Sequence, residues 1–141
     1  MVHAAILFLL ASAAAPAAPP PVVTEWEKAW IAVGQDANGA VWLVRAGDMV
    51  NTDNYRPKVW VSQDHSHDRT TKARLSRSLQ VIDCMGATTD VRATVGFSAR
   101  GAVLWNVEAD HADPQPIKPA SMAEAVRKAV CPKTAPPILK P

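Results

Sequence analysis

Between Val91 and Glu108 the chain alternates. Val91, Ala93, Val95 and Phe97 are separated by Arg92, Thr94 and Gly96, and beyond Ser98-Ala99-Arg100-Gly101 the residues Val103, Trp105 and Val107 repeat at the same spacing. A period of two belongs to an extended strand, because successive side chains leave the pleated backbone on opposite faces. Two such runs joined by a short glycine-containing turn form a β-hairpin. This hairpin is expected to bury Val91, Ala93, Val95, Phe97, Val103, Trp105 and Val107 on one face. A chain built around it is committed to an antiparallel sheet.

Other segments extend that sheet. Trp26 to Val33 and Ala40 to Ala46 flank Asp36-Ala37-Asn38-Gly39, a turn cluster in which Gly39 can take a positive φ. Lys58 to Gln63 places Val59 and Val61 on one side and Trp60 on the other. Arg74 to Cys84 is longer and ends apolar on both sides, which suits a covered central strand. After Pro119 the period changes. Met122, Ala125, Val126, Ala129 and Val130 follow the spacing of an amphipathic helix, with Arg127 and Lys128 expected on its outer side. Ser121 and Glu124 form a capping-box pair at its start, the serine accepting from the Glu124 amide and the glutamate reaching back. Pro132 ends the helix at Cys131.

The two ends of the chain read differently. Ala4 to Ala15 is an unbroken apolar run of about twelve residues, short of the roughly twenty that a bilayer-spanning helix needs. With small residues after it, in Ala11-Ser12-Ala13 and Ala15-Pro16-Ala17, it is expected to be a cleaved export signal. The organisation expected is a signal peptide over residues 1–17, a proline-rich leader over 18–23, a domain over 24–132 and a proline-rich tail over 133–141. No cysteine lies near the cut, so lipid anchoring is not expected. The mature protein is expected in the periplasm or secreted, with no transmembrane anchor.

Export gives meaning to the two cysteines, Cys84 and Cys131. An oxidising compartment favours their pairing. Two free thiols or two metal ligands are the competing readings, although no C-x-x-C spacing supports a zinc site. The fold class expected is therefore α+β: an antiparallel sheet of about five to six strands carrying one C-terminal helix, held by a disulfide.

The order of these features resembles a known family. A strand KVWV, a strand LQVIDC ending in Cys84, the hairpin ATVGFSARGAVLWNV, a Pro119-x-Ser121 helix start and the closing Cys131 are similar to the bacterial surface-adhesin protein E family. The resemblance implies that Cys84 and Cys131 tie the helix to the sheet, that the protein is an exported envelope or surface module, and that it is not an enzyme. It also implies a macromolecular or surface partner, which the sequence does not name. Homodimeric strand pairing is open to such a domain.

Chemistry is sparse elsewhere. In Asp64-His65-Ser66-His67-Asp68, an extended backbone would project His65 and His67 from one side, as metal ligands on a strand do, and His111 beside Asp110 and Asp113 could complete a site for zinc, copper, nickel or haem. A solvated connecting loop is the competing reading. Arg69, Lys72 and Arg74, with Arg77 beyond them, form a small basic stretch suited to an anionic partner or to plain solvation. Fifteen basic against thirteen acidic residues leave a net charge of only +2, which excludes a dedicated nucleic-acid binder. No G-x-S-x-G elbow and no glycine-rich phosphate loop occurs, so neither catalysis nor a cofactor is expected. The five tryptophans are expected mostly in the core, with one or two partly exposed against a ligand groove.

Overall fold

A computed structural model describes residues 30–45 and 55–133. The apolar N-terminal run, the proline-rich leader, the first four residues of the strand expected from Trp26, and the tail beyond residue 133 lie outside the described residues. The described chain forms β1 (Trp30–Gln35), β2 (Val41–Arg45), β3 (Lys58–Asp64), β4 (Leu75–Asp83), β5 (Thr88–Phe97), β6 (Val103–Glu108), β7 (Gln115–Pro116) and one helix, α1 (Met122–Val130). Strands β1 to β6 lie side by side in chain order, each antiparallel to its neighbour, and the short β7 pairs with the start of β5. The α+β class is as expected: an antiparallel sheet, one C-terminal helix and a Cys84–Cys131 disulfide.

The core lies between one face of the sheet and the helix. Val44, Val59, Val61 and Ile82 come from the strands, Ile117 from the stretch after β7, and Val126 and Val130 from α1. The helix rests on β1 and β2. The Met122 side chain packs directly on Gly34: a Cβ there would stand 3.0 Å from the Met122 methyl. Ser121 caps the helix, its hydroxyl accepting from the Glu124 amide at 3.2 Å. The return half of the capping box is replaced by an ion pair, since Glu124 accepts from Arg127 Nε at 2.8 Å. Arg127 is not on the outer side as expected. It is half-buried and also donates to the Cys84 carbonyl at 3.1 Å, so a polar tie runs beside the covalent one. Cys131 leaves helical geometry, with φ −85° and ψ 144°, and this turns it towards Cys84.

The hairpin forms, but its expected single buried face does not. Val91, Val103 and Val107 are 45%, 59% and 56% exposed. Two bulges are responsible. Leu79 and Gln80 are consecutive, yet they oppose Ala93 and Val91; Gly96 and Phe97 are consecutive, yet they oppose Trp105 and Val103. Directly opposed residues share a face, so each bulge switches the side on which the following residues project. Val91 is thereby separated from Ala93, and Val103 from Trp105. The Trp105 ring instead lies on Gly96, where a Cβ would come within 2.4 Å of it, and its Nε1 donates to the Thr94 hydroxyl at 3.2 Å.

Two measurements follow from this packing. The disulfide closes a loop across 47 positions. The chain-entropy model assigns such a loop about 4 kcal/mol, so reduction should lower the urea midpoint by that equivalent, read by equilibrium melts with and without dithiothreitol. Gly96→Ala should cost about 1–3 kcal/mol by displacing Trp105, seen as a lower melting temperature with a changed tryptophan emission.

Candidate functional site

Because the helix covers one face of the sheet, side chains that alternate with the core residues point to the other. Arg45 follows Val44, and Trp60 stands between Val59 and Val61. Trp30 opposes Arg45 across the β1–β2 pair, and Arg77 opposes Val95 across β4–β5. With Phe97, these six residues line a groove of about 270 Å³. The Arg77 guanidinium sits 5.4 Å from the centre of the Trp30 ring, within cation–π range. Among the described residues the lining holds three aromatic rings and two guanidiniums. Such a surface offers flat apolar contact together with two fixed positive charges.

The tryptophans divide: Trp42 packs against the core as expected, whereas Trp30 and Trp60 line the groove. Trp30, Trp42, Trp60 and Trp105 are each half-buried, and Trp26 lies outside the described residues. The hint in the sequence was the KVWV run, where Trp60 takes the opposite parity to Val59 and Val61.

The stretch after β3 is a turn rather than an extension of the strand. Asp68 donates its backbone N–H to the His65 carbonyl at 3.0 Å, and Asp64 accepts from the Ser66 amide at 2.9 Å. This geometry separates the two histidines. His67 is exposed, whereas the His65 ring is buried between Asp68 Oδ2, 3.0 Å from Nδ1, and the Ser76 hydroxyl, 2.8 Å from Nε2. A ring carrying its proton on Nδ1 satisfies both, donating to Asp68 and accepting from Ser76. Serine, imidazole and carboxylate stand in the order of a nucleophile relay, a contact the sequence did not disclose. However, Ser76 and the His65 side chain are each only 9% exposed, and the groove is lined by other residues. The relay ties the turn to β4. On its other side the turn packs on the Asp36–Gly39 turn, where Gly39 has the positive φ expected of it (91°) and a Cβ would lie 3.2 Å from the His67 carbonyl oxygen.

His111 is not brought to this turn. The turn adjoins the start of β4 and the end of β5, while the loop of His111 is held at the start of β5 by Asp113 N–H donating to Asp90 at 3.1 Å. Among the described residues no three His, Cys, Asp or Glu side chains converge as metal ligands do. The basic stretch is also divided. Arg69 and Lys72 are exposed, Arg74 is ion-paired with Asp64, and Arg77 is part of the groove.

The fold and the groove can now be set beside known proteins. A family model described as surface-adhesin protein E matches residues 30–132. The chain belongs to that family. No curated protein and no solved structure gives a significant match. The surface-adhesin protein E domain so matched runs from Trp30, at the groove, to Pro132, just past the disulfide, and is a surface-adhesin-like module. No helix among its described residues is long and apolar enough to cross a membrane.

The two turns make stability depend on acid in a defined direction. The Thr70 hydroxyl and amide, with His65, hold the Asp68 carboxyl below its ordinary value, and the Trp42 indole does the same for Asp36, joined by the Ala40 and Asn38 amides. Both groups are ionised in folded and unfolded chains above their ordinary value of 3.8, where their contribution is whole. As pH falls below it the unfolded chain takes up protons first, and stability is lost until the folded carboxyls protonate too. Urea midpoints between about pH 2 and pH 6 should show this fall, and the Asp36→Asn, Asp68→Asn double variant should make it shallower, the remainder coming from Asp64, Asp83 and Glu124, whose carboxyls are also held below their ordinary values. His65→Ala should cost about 1–3 kcal/mol by stranding the Ser76 hydroxyl, and Ser76→Ala should relieve part of that cost in the double variant.

Proposed function

We propose that this member of the surface-adhesin protein E family is an exported, non-enzymatic binding module whose recognition surface is the helix-free face of the sheet. The observation that carries the reading is the asymmetry of the sheet. One face is closed by α1, and the other keeps Trp30, Trp60 and Phe97 beside Arg45 and Arg77, half-exposed around a groove. Aromatic and arginine side chains are the types that dominate binding energy at interfaces. Here they stand on the face that α1 does not cover. Family membership supports a surface partner, and the apolar run over Ala4–Ala15 supports export.

Two experiments test the reading. Cells producing the full chain should deliver it, disulfide-bonded, to the periplasm or medium, and deletion of residues 1–17 should retain it in the cytoplasm. The purified oxidised protein should bind the surface of intact cells. That binding should fall at least about tenfold in Trp60→Ala and Arg77→Gln, while Lys128→Ala on the outer side of the helix leaves it intact. Equal loss from both faces, or none from either, would reject the helix-free face as the recognition surface.

A further inference from the structure

The helix lies towards one end of its own face of the sheet. It rests on β1 and β2, while β5 and β6 stand at the opposite end of the strand order. Val107, Thr94, Ser78 and the core residue Val61 oppose one another in turn, as do Val91, Gln80 and the core residue Val59. Val107 and Val91 therefore share the face that bears α1, yet both are exposed. Leu104, in the bulge of the same strand β6, is 45% exposed as well.

We infer that this end of the sheet is a second docking site, where an extended peptide of a partner protein adds as a strand beside β6, carrying a basic side chain two residues before an aliphatic one. The site is separate from the helix-free face and needs none of its residues.

The backbone supplies the first reason. Ala109 donates its N–H to the Arg92 carbonyl of β5 at 2.8 Å. Hydrogen bonding alternates along an antiparallel strand, so Val107 and Trp105 also direct their backbone groups to β5, and Asn106 and Glu108 direct theirs to the open side. Among the described residues no strand pairs there. The strand carries neither the lysine nor the proline that commonly guards such an edge, and its bulge opposite Gly96 leaves Trp105 to Glu108 regular. A strand added at this edge gains main-chain hydrogen bonds, and recesses beside it select its side chains.

Two recesses are present. Val91, Thr94, Val107 and Ala109 border one of about 110 Å³, where an aliphatic side chain can lie. Val91 and Ala109 also border a second, of about 310 Å³, whose lining includes Asp110, His111 and Asp113 and, among the described residues, no lysine or arginine. Asp113 accepts from Gln115 Nε2 at 2.8 Å, and among the described residues Asp110 has no hydrogen-bond or ion-pair partner. Arg92, which borders the smaller recess, is held by Asp90 at 2.9 Å. The complement of the second recess is therefore a cation. In an antiparallel added strand, the residue two positions before the one facing Val107 comes opposite Ala109, beside Asp110. That geometry sets the order basic-x-aliphatic.

A second copy of the chain fits this edge less well. In a β6–β6 pair centred on Val107, Ala109 would meet Trp105 of the other copy, which brings no cation to Asp110. Two edges of six residues also share little area for a stable dimer.

The test titrates the purified oxidised protein with acetyl-Thr-Lys-Thr-Leu-Thr-Val-amide, following heat and backbone amide shifts. Saturable one-to-one binding is expected, with the largest shifts at Asn106 and Glu108. Glutamate in place of the peptide's lysine should weaken binding at least about tenfold, as should Asp110→Lys or Asn106→Pro in the protein, and the glutamate peptide should regain affinity for Asp110→Lys. Melting temperatures of both variants separate lost binding from lost fold. No saturable binding, or equal binding of the lysine and glutamate peptides, would overturn the inference. Loss in Trp60→Ala with none in Asn106→Pro would overturn it by moving the peptide to the helix-free face. A dimer of the protein alone that Asn106→Pro abolishes would assign the edge to a second copy instead. Cell-surface binding lost in Trp60→Ala and Arg77→Gln reports on the helix-free face alone, so the two sites fail separately.

Discussion

The structure depends on the join between the end of the helix and the end of β4. Cys84 lies one residue past β4 and Cys131 one residue past α1, and the bond between them fixes which face of the sheet the helix covers. The Arg127 guanidinium strengthens the same corner by bonding the Cys84 carbonyl, and Glu124 holds Arg127 in place. A nine-residue helix is too short to be stable alone in water. Its existence rests on burying Val126 and Val130 against Val44, Val59, Val61 and Ile82, and the disulfide keeps those partners close even when the chain opens.

One helix closes only one face of a sheet, and that asymmetry separates stability from recognition. Residues that meet the helix are small and aliphatic, mainly valine and isoleucine, as a thin layer under a single helix requires. Of the large rings, Trp42 packs at the margin of this core, whereas Trp30, Trp60 and Phe97 stand on the other face. Trp60 stands between two fully buried valines on β3, so its position is set as rigidly as theirs although its ring faces away from them. A recognition surface built on central strands inherits the order of the core beneath it, which lowers the entropy lost on binding. The relay from Asp68 through His65 to Ser76 serves the opposite purpose. It consumes groups capable of chemistry in pinning a turn, and it lies at the end of the strands where the backbone most needs support.

Much of this was legible in the residues, and the parts that were not share a cause. The strands, the Ser121 cap, the stop at Pro132 and the pairing of Cys84 with Cys131 are local signals or follow from a count of two cysteines in a chain whose N-terminal run reads as an export signal. Side-chain direction in the hairpin was misread because a bulge adds one residue without any mark in the hydrophobic pattern: Val103 and Trp105 look equivalent in sequence and are opposed in space. Of the two readings of the DHSHD stretch, the connecting loop is the one that forms; aspartates that build turns through their side chains are the same aspartates that ligate metals, so the sequence left both open. The groove could not be read at all as a unit. Its six residues come from β1, β2, β3, β4 and β5, and only the register of four strand pairs brings them together.

The identity of the groove cations also carries meaning. A lysine at residue 77 would bring a compact, strongly hydrated charge that resists lying on an indole, whereas a guanidinium stacks on the ring through its weakly hydrated faces and keeps its edge N–H donors directed outward. Arginine over Trp30 therefore places a charge against the apolar floor of the groove. A face meant only to be solvated gains nothing from that arrangement, since exposed lysines such as Lys72 and Lys128 serve solubility equally well.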